Sequence, residues 1–311
     1  MTASSATQST FNTSVGYASM YSLTTGYFNS ALGYQALNKN TEGFENSAFG
    51  YHSLFSNTTG EENSAYGSRT LETNISGNYN SAFGYKALAD NEGGSSNSAF
   101  GYHALKQNDF GEKNSAFGRH ALAGALAHRN SAFGYFAMTS SSGSDNSAFG
   151  YYSMRTNGSG DYNSAFGNQS LEGNDQGSYN AAFGYSALNS NSSGDYNSAF
   201  GNQSLGDNTQ GSYNSAFGNR ALDQISSGNY NSAIGSDALL SNTTGDNNTA
   251  VGASSLNTAT GSRNTAIGSY AGNNQTSGHN NIVIGYNAQL ANKIASNQIK
   301  IRQLKYFRRR Y

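Results

Sequence analysis

Bulky apolar residues stand one or two at a time in a polar background along this 311-residue chain, and they return on a fixed beat. The motif Asn-Ser-Ala-Phe-Gly, or a close relative, occurs seventeen times from Asn12 through Asn281, at intervals of 17 residues with three of 16. Counted from its Asn, position 4 is always bulky and apolar. It reads Val15, Leu32, Phe49, Tyr66, Phe83, Phe100, Phe117, Phe133, Phe149, Phe166, Phe183, Phe200, Phe217, Ile234, Val251, Ile267 and Ile284. Position 9 is Leu or Met from Met20 to Leu256, position 8 is small, and position 5 is always Gly. Asn at position 12, as in Asn57 and Asn191, and Gly at position 15, as in Gly60 and Gly194, are turn residues. A degenerate eighteenth copy runs from Asn297 to Ile301.

This unit is too short for a helical hairpin or a leucine-rich repeat. Its load of Gly, Asn and Ser also disfavours helix. The pattern predicts an all-β fold, a parallel β-solenoid of about 18 coils of 16–17 residues stacked about 4.8 Å apart. Short strands are expected at positions 2–5 and 7–10, with turns at the glycines. Residues 1–11 form a polar lead-in, 12–301 the solenoid and 302–311 a basic tail. Alternation along the first strand separates position 4 from positions 3 and 5. Size sends position 4 inward, making Phe49, Phe83, Phe100, Phe117, Phe133, Phe149, Phe166, Phe183, Phe200 and Phe217 a core ladder. Ala and Gly then face the other way, where a second backbone can approach. One ring and one Leu per coil bury little area for seventeen ordered residues, so chains are expected to associate along that Ala/Gly seam. The Asn column is read as structural, a stack of side-chain amides hydrogen-bonded from coil to coil. The coil from Asn114 to Arg129 lacks the position 15 Gly and is expected to bulge or bend.

Composition narrows the chemistry. The chain has no Cys, Pro or Trp, and charged residues make up 11% of it, which excludes disulfides and thiolate chemistry. Ten basic and eighteen acidic side chains precede residue 293, and seven basic side chains with no acidic one lie from Lys293 onward, so the body is not a nucleic-acid binder. No apolar run approaches a membrane span, and the first residues do not resemble a secretory signal. Asp145, Asp161, Asp195 and Asp246 all fall at position 16 beside turn glycines, which reads as turn solvation rather than catalysis. His52, His103 and His120 share position 7, an outward place. No catalytic residues, metal site or cofactor are assigned.

Copies such as Asn80 to Ser96 resemble the head repeats of trimeric autotransporter adhesins of the YadA type. Ser241 to Gly252 looks closer still to the N-T-A-x-G-x-x-A-L repeats of phage tail fibres. The resemblance covers residues 12 to about 301 and implies a left-handed β-roll in a homotrimer with a role in attachment. The signal, stalk and membrane barrel of the adhesins have no counterpart here.

Two features offer binding surfaces. Tyr34, Tyr51, Tyr85, Tyr102, Tyr135, Tyr151 and Tyr185 occupy position 6, and Tyr79, Tyr162, Tyr179, Tyr196, Tyr213 and Tyr230 occupy position 17. Facing solvent, the position 6 stripe suits a cell-surface glycan or protein receptor. The tail residues Lys300, Arg302, Lys305, Arg308, Arg309 and Arg310 form a docking segment, and membrane contact is expected only through it. The expected protein is a non-enzymatic fibre or adhesin rod, extracellular on a phage-like particle or cell surface. The alternative is a filament subunit whose rods stack end to end.

Overall fold

Each motif copy forms one three-residue strand at positions 2–4, for example Ser47–Phe49 and Ser198–Phe200. The computed structural model describes residues 11–302, and these contain no helix. The chain divides into two units, residues 1–159 and 160–311. Each unit is a parallel β-solenoid with nine such strands. Pairing is in register from coil to coil: Ser30, Ala31 and Leu32 lie opposite Ser47, Ala48 and Phe49 in the first unit. In the second, Ala181, Ala182 and Phe183 lie opposite Ser198, Ala199 and Phe200. Like residues therefore stack on like, which converts each repeat position into a column.

The strand alternates as expected, but in the opposite sense. Position 3 points inward, with Ala48, Ala99, Ala199 and Ala216 all 0% exposed. Position 4 points outward: Phe217 is 42% exposed, and most of the other rings are half-buried. The ladder Phe49, Phe83, Phe100, Phe117, Phe133, Phe149, Phe166, Phe183, Phe200 and Phe217 is thus an external column, not the core. The reason is room. Positions 1, 3, 8, 9 and 12 all turn inward, and a 17-residue coil that takes in Asn46, Ala48, Ser53, Leu54 and Asn57 has no space left for a ring.

A second correction concerns the later strand. Positions 7–10 form a turn, and where a second strand exists it lies at positions 11–12, as in Ser140–Ser141 and Ser190–Asn191. Neighbouring positions 8 and 9 both face inward, which an extended strand does not permit. Left-handed backbone at positions 7 and 9 breaks the alternation, with φ of +56° at His103 and +50° at Leu105. The turn keeps its coil-to-coil bonds: His103 N–H donates to Tyr85 O at 3.0 Å and Leu105 N–H to Ala121 O at 2.9 Å. Burial of Leu105 and its equivalents offsets a left-handed conformation that L-residues otherwise avoid.

Only the Gly half of the expected Ala/Gly seam reaches the surface, because the Ala column is turned inward. At position 5, Gly101 has φ of +136°, and a Cβ there would lie 2.6 Å from Gly118 O in the next coil. The glycines press against one another along the stack and form a half-exposed row.

Two Asn columns complete the interior, as expected from their structural reading. At position 1, Asn80 Oδ1 accepts the Asn97 N–H at 3.0 Å, and Asn80 Nδ2 donates to Gly94 O at 2.9 Å. At position 12, Asn74 Nδ2 donates to Asn57 Oδ1 at 2.7 Å, and Asn91 Nδ2 to Asn74 Oδ1 at 2.7 Å. Buried amides of this kind are stable only when fully bonded. Where the position 12 column meets Ile225, Asn208 Oδ1 is left without a partner. The irregular coil preserves the bond it lacks Gly to make, because Asn114 Nδ2 donates to Ala127 O at 2.8 Å.

Candidate binding surfaces

Position 4 forms a continuous, partly exposed apolar column in each unit. In the first, rings from Phe49 through Tyr66 to Phe149 stack at centroid separations of 4.7–4.8 Å and within 9° of parallel. In the second, Phe166, Phe183, Phe200 and Phe217 stack at 4.8–4.9 Å before Ile234, Val251, Ile267 and Ile284 continue the column. Charged residues are absent from this column and Ser or Ala flanks most of it at position 2.

The position 6 tyrosines are exposed, as expected, but are brought together only in part. Tyr17, Tyr34 and Tyr51 stack at 5.3 and 5.5 Å, Tyr85 and Tyr102 at 5.5 Å, and Tyr135 and Tyr151 at 5.4 Å. Ser68 and Arg119 interrupt the column, and Tyr185 has Asn168 and Asn202 as its column neighbours. The position 17 column forms the more regular ladder: Tyr162, Tyr179, Tyr196, Tyr213 and Tyr230 stack at 4.8–4.9 Å. Rings this close present edges and hydroxyls outward and keep their faces for one another. A sugar therefore cannot stack on an interior rung of either ladder.

The position 16 carboxylates act within the fold. Asp195 Oδ1 accepts the Ser178 N–H at 2.7 Å, and Asp246 Oδ1 accepts the Asn229 N–H at 2.7 Å, each closing the turn of the preceding coil. Asp145 accepts two bonds from the Arg129 guanidinium at 2.7 and 2.8 Å, and these hold its carboxyl below the usual carboxylate range.

The three position 7 histidines separate into two environments. His52 lies between Gln35 Oε1 at 2.8 Å and Glu72 Oε1 at 3.1 Å. His103 and His120 instead meet edge to face at 5.0 Å, with Tyr102 stacked on His103 at 4.0 Å and Phe136 on His120 at 4.7 Å. Burial, then His120 and the ammonium groups of Lys106 and Lys86, push His103 below the ordinary imidazole range, with Asp90 opposing. Burial, Arg119 and Lys106 do the same to His120. Among the described residues no group of three or more His, Asp or Glu is placed to hold a metal ion. Sequence reasoning placed these histidines outward but missed their pairing, although the interval of 17 between them signals stacked coils.

Of the expected docking tail, Lys300 and Arg302 belong to the last coil, while Lys305, Arg308, Arg309 and Arg310 lie outside the described residues. Strand Ile299–Ile301 pairs with Ile282–Ile284 and puts Lys300 opposite Val283, in the column that Ala occupies in most coils. Arg302 follows in the Gly column and donates to Tyr286 O at 2.8 Å. Compared with known protein families, curated proteins and solved structures, the chain matches none.

Proposed function

We propose that this chain is a non-enzymatic fibrous structural protein, a surface-attachment rod that works as a homotrimer joined through the position 4 stripe. The observation that carries this reading is the in-register ladder of half-exposed rings and branched aliphatic residues along each unit. Solvent-exposed apolar columns of this extent mark surfaces that are covered by protein. The in-register columns also make each unit self-complementary to further copies, since the same residue returns at every rung. Tyrosine hydroxyls on positions 6 and 17 then remain outward as the receptor-facing surface, on the outside of a cell or virus-like particle.

Mass measurement on the intact chain, with and without Phe100→Ser, Phe117→Ser and Phe133→Ser together, tests the assembly. The expected result is a species of three chains that falls to one chain in the triple variant, with the β-type circular dichroism retained. A monomeric wild type, or a trimer indifferent to the substitutions, would refute it.

A further inference from the structure

One coil breaks the repeat on an outer face. Its positions 10 and 11 are Ala123 and Gly124, between Lys106 and Gln107 of the coil before and Thr139 and Ser140 of the coil after. The shortened side chains open a cleft of about 360 Å³, closed on one side by His103 and His120. That volume lies at the lower end of the range for small-molecule sites, roughly 300–1,000 Å³. The backbone does not demand this glycine. A Cβ on Gly124 would meet only Thr139 O at 3.3 Å and Gln107 Oε1 at 3.7 Å, in contrast to the tight glycines of position 5.

The wall is rich in groups with unused hydrogen-bonding capacity. The Thr139 hydroxyl donates to Phe136 O at 2.9 Å and so keeps its lone pairs for an incoming donor. Lys106 Nζ lies 3.7 Å from Asp90 Oδ2, a loose pair that leaves the ammonium available. Arg119 and Lys86 flank the histidines, over the rings of Tyr102 and Tyr85. Three cations against one carboxylate favour an anionic ligand. A metal fits poorly: among the described residues no third His, Asp or Glu joins the two imidazoles as a ligand, and the neighbouring cations repel a second positive charge.

We propose that this cleft binds a carboxylate-bearing monosaccharide, with the Lys106 ammonium on the carboxylate and Gln107, Thr139 and Ser140 on the ring hydroxyls, the His103 and His120 rings serving as its wall. A hydroxyl both donates and accepts, which matches the mixed set on this wall. An inorganic anion would use the charge alone. The cleft lies within one chain on positions 7, 10 and 11 and shares no residue with the position 4 stripe, so it stands whether or not the chains assemble.

Saturation-transfer NMR and calorimetry on the full chain, with D-glucuronate, N-acetylneuraminate, D-glucose and inorganic phosphate as probes, test the site. At least one acidic sugar is expected to bind with Kd on the order of 1 mM, about tenfold more tightly than glucose or phosphate. Lys106→Gln should lose about tenfold, and Gly124→Gln, whose Cβ asks Thr139 O to yield by only a few tenths of an ångström, should abolish binding with the β-type circular dichroism retained. Failure of both acidic sugars to bind overturns the proposal. So does phosphate binding as tightly as the sugar, or Gly124→Gln binding like the wild type.

Discussion

Ala99 and Phe100 are neighbours in one three-residue strand, yet one is wholly enclosed and the other is half open to solvent. The enclosed column holds methyl groups, one Leu or Met per coil and two amides. The open column holds nearly all the large rings of the strand. The difference teaches that a coil this narrow is held together from inside by fit and hydrogen bonding. Its greatest apolar area is left on the outside, where it stabilises the stack through ring-to-ring contact and remains available to other chains.

Substitutions on the two sides should separate these roles. The largest effect is expected for Gly101→Ala, which sets a Cβ 2.6 Å from Gly118 O in a conformation that suits only Gly. A loss of about 3 kcal/mol or more in denaturant unfolding follows from the combined strain and clash. Next comes a matched pair on the two faces. Leu105→Ala, at a side chain 0% exposed, should cost about 2–5 kcal/mol. Phe100→Ser should cost a single chain only about 1–2 kcal/mol despite removing the larger group. Equal losses would erase the distinction between interior and ladder.

The smallest effect concerns His103 and His120, outer residues that are partly enclosed. Both are held below the ordinary imidazole range in the folded chain, so below about pH 6.5 the unfolded chain takes up protons that the folded chain resists. Stability should therefore be level above that pH and decline as pH falls through the folded values. The double substitution His103→Gln with His120→Gln should flatten this part of the melting-temperature profile.

The period, the first strand of each coil and the Asn columns were legible in the sequence because each depends on which residues recur. Which face turns inward was not, because alternation separates two sides without saying which is enclosed. Size argued for the rings, but the signal against it was present at Tyr66, a hydroxyl-bearing member of the column, and in that column's range from Val15 to Phe217. An interior crowded with stacked backbones does not tolerate such variation in volume, whereas position 3 scarcely departs from Ala. The turn at positions 7–10 was read as strand because left-handed Leu has no propensity signature. The His103 and His120 cleft was legible only in its parts: the interval of 17 aligned the histidines, but the opening arises from the side chains that Ala123 and Gly124 lack.

Hydrogen exchange of the side-chain amides tests the arrangement of the interior most directly. Asn74, Asn80 and Asn91 donate to partners inside the coil and are 0% exposed, whereas Asn202 and Asn219 lie on the surface. The expected result is that the NH2 groups of the first three exchange only with opening of the coil, over hours or longer, while those of Asn202 and Asn219 exchange at the rate of free asparagine. Rapid exchange at Asn74, Asn80 and Asn91 would contradict the enclosed amide columns and, with them, the placement of the rings outside.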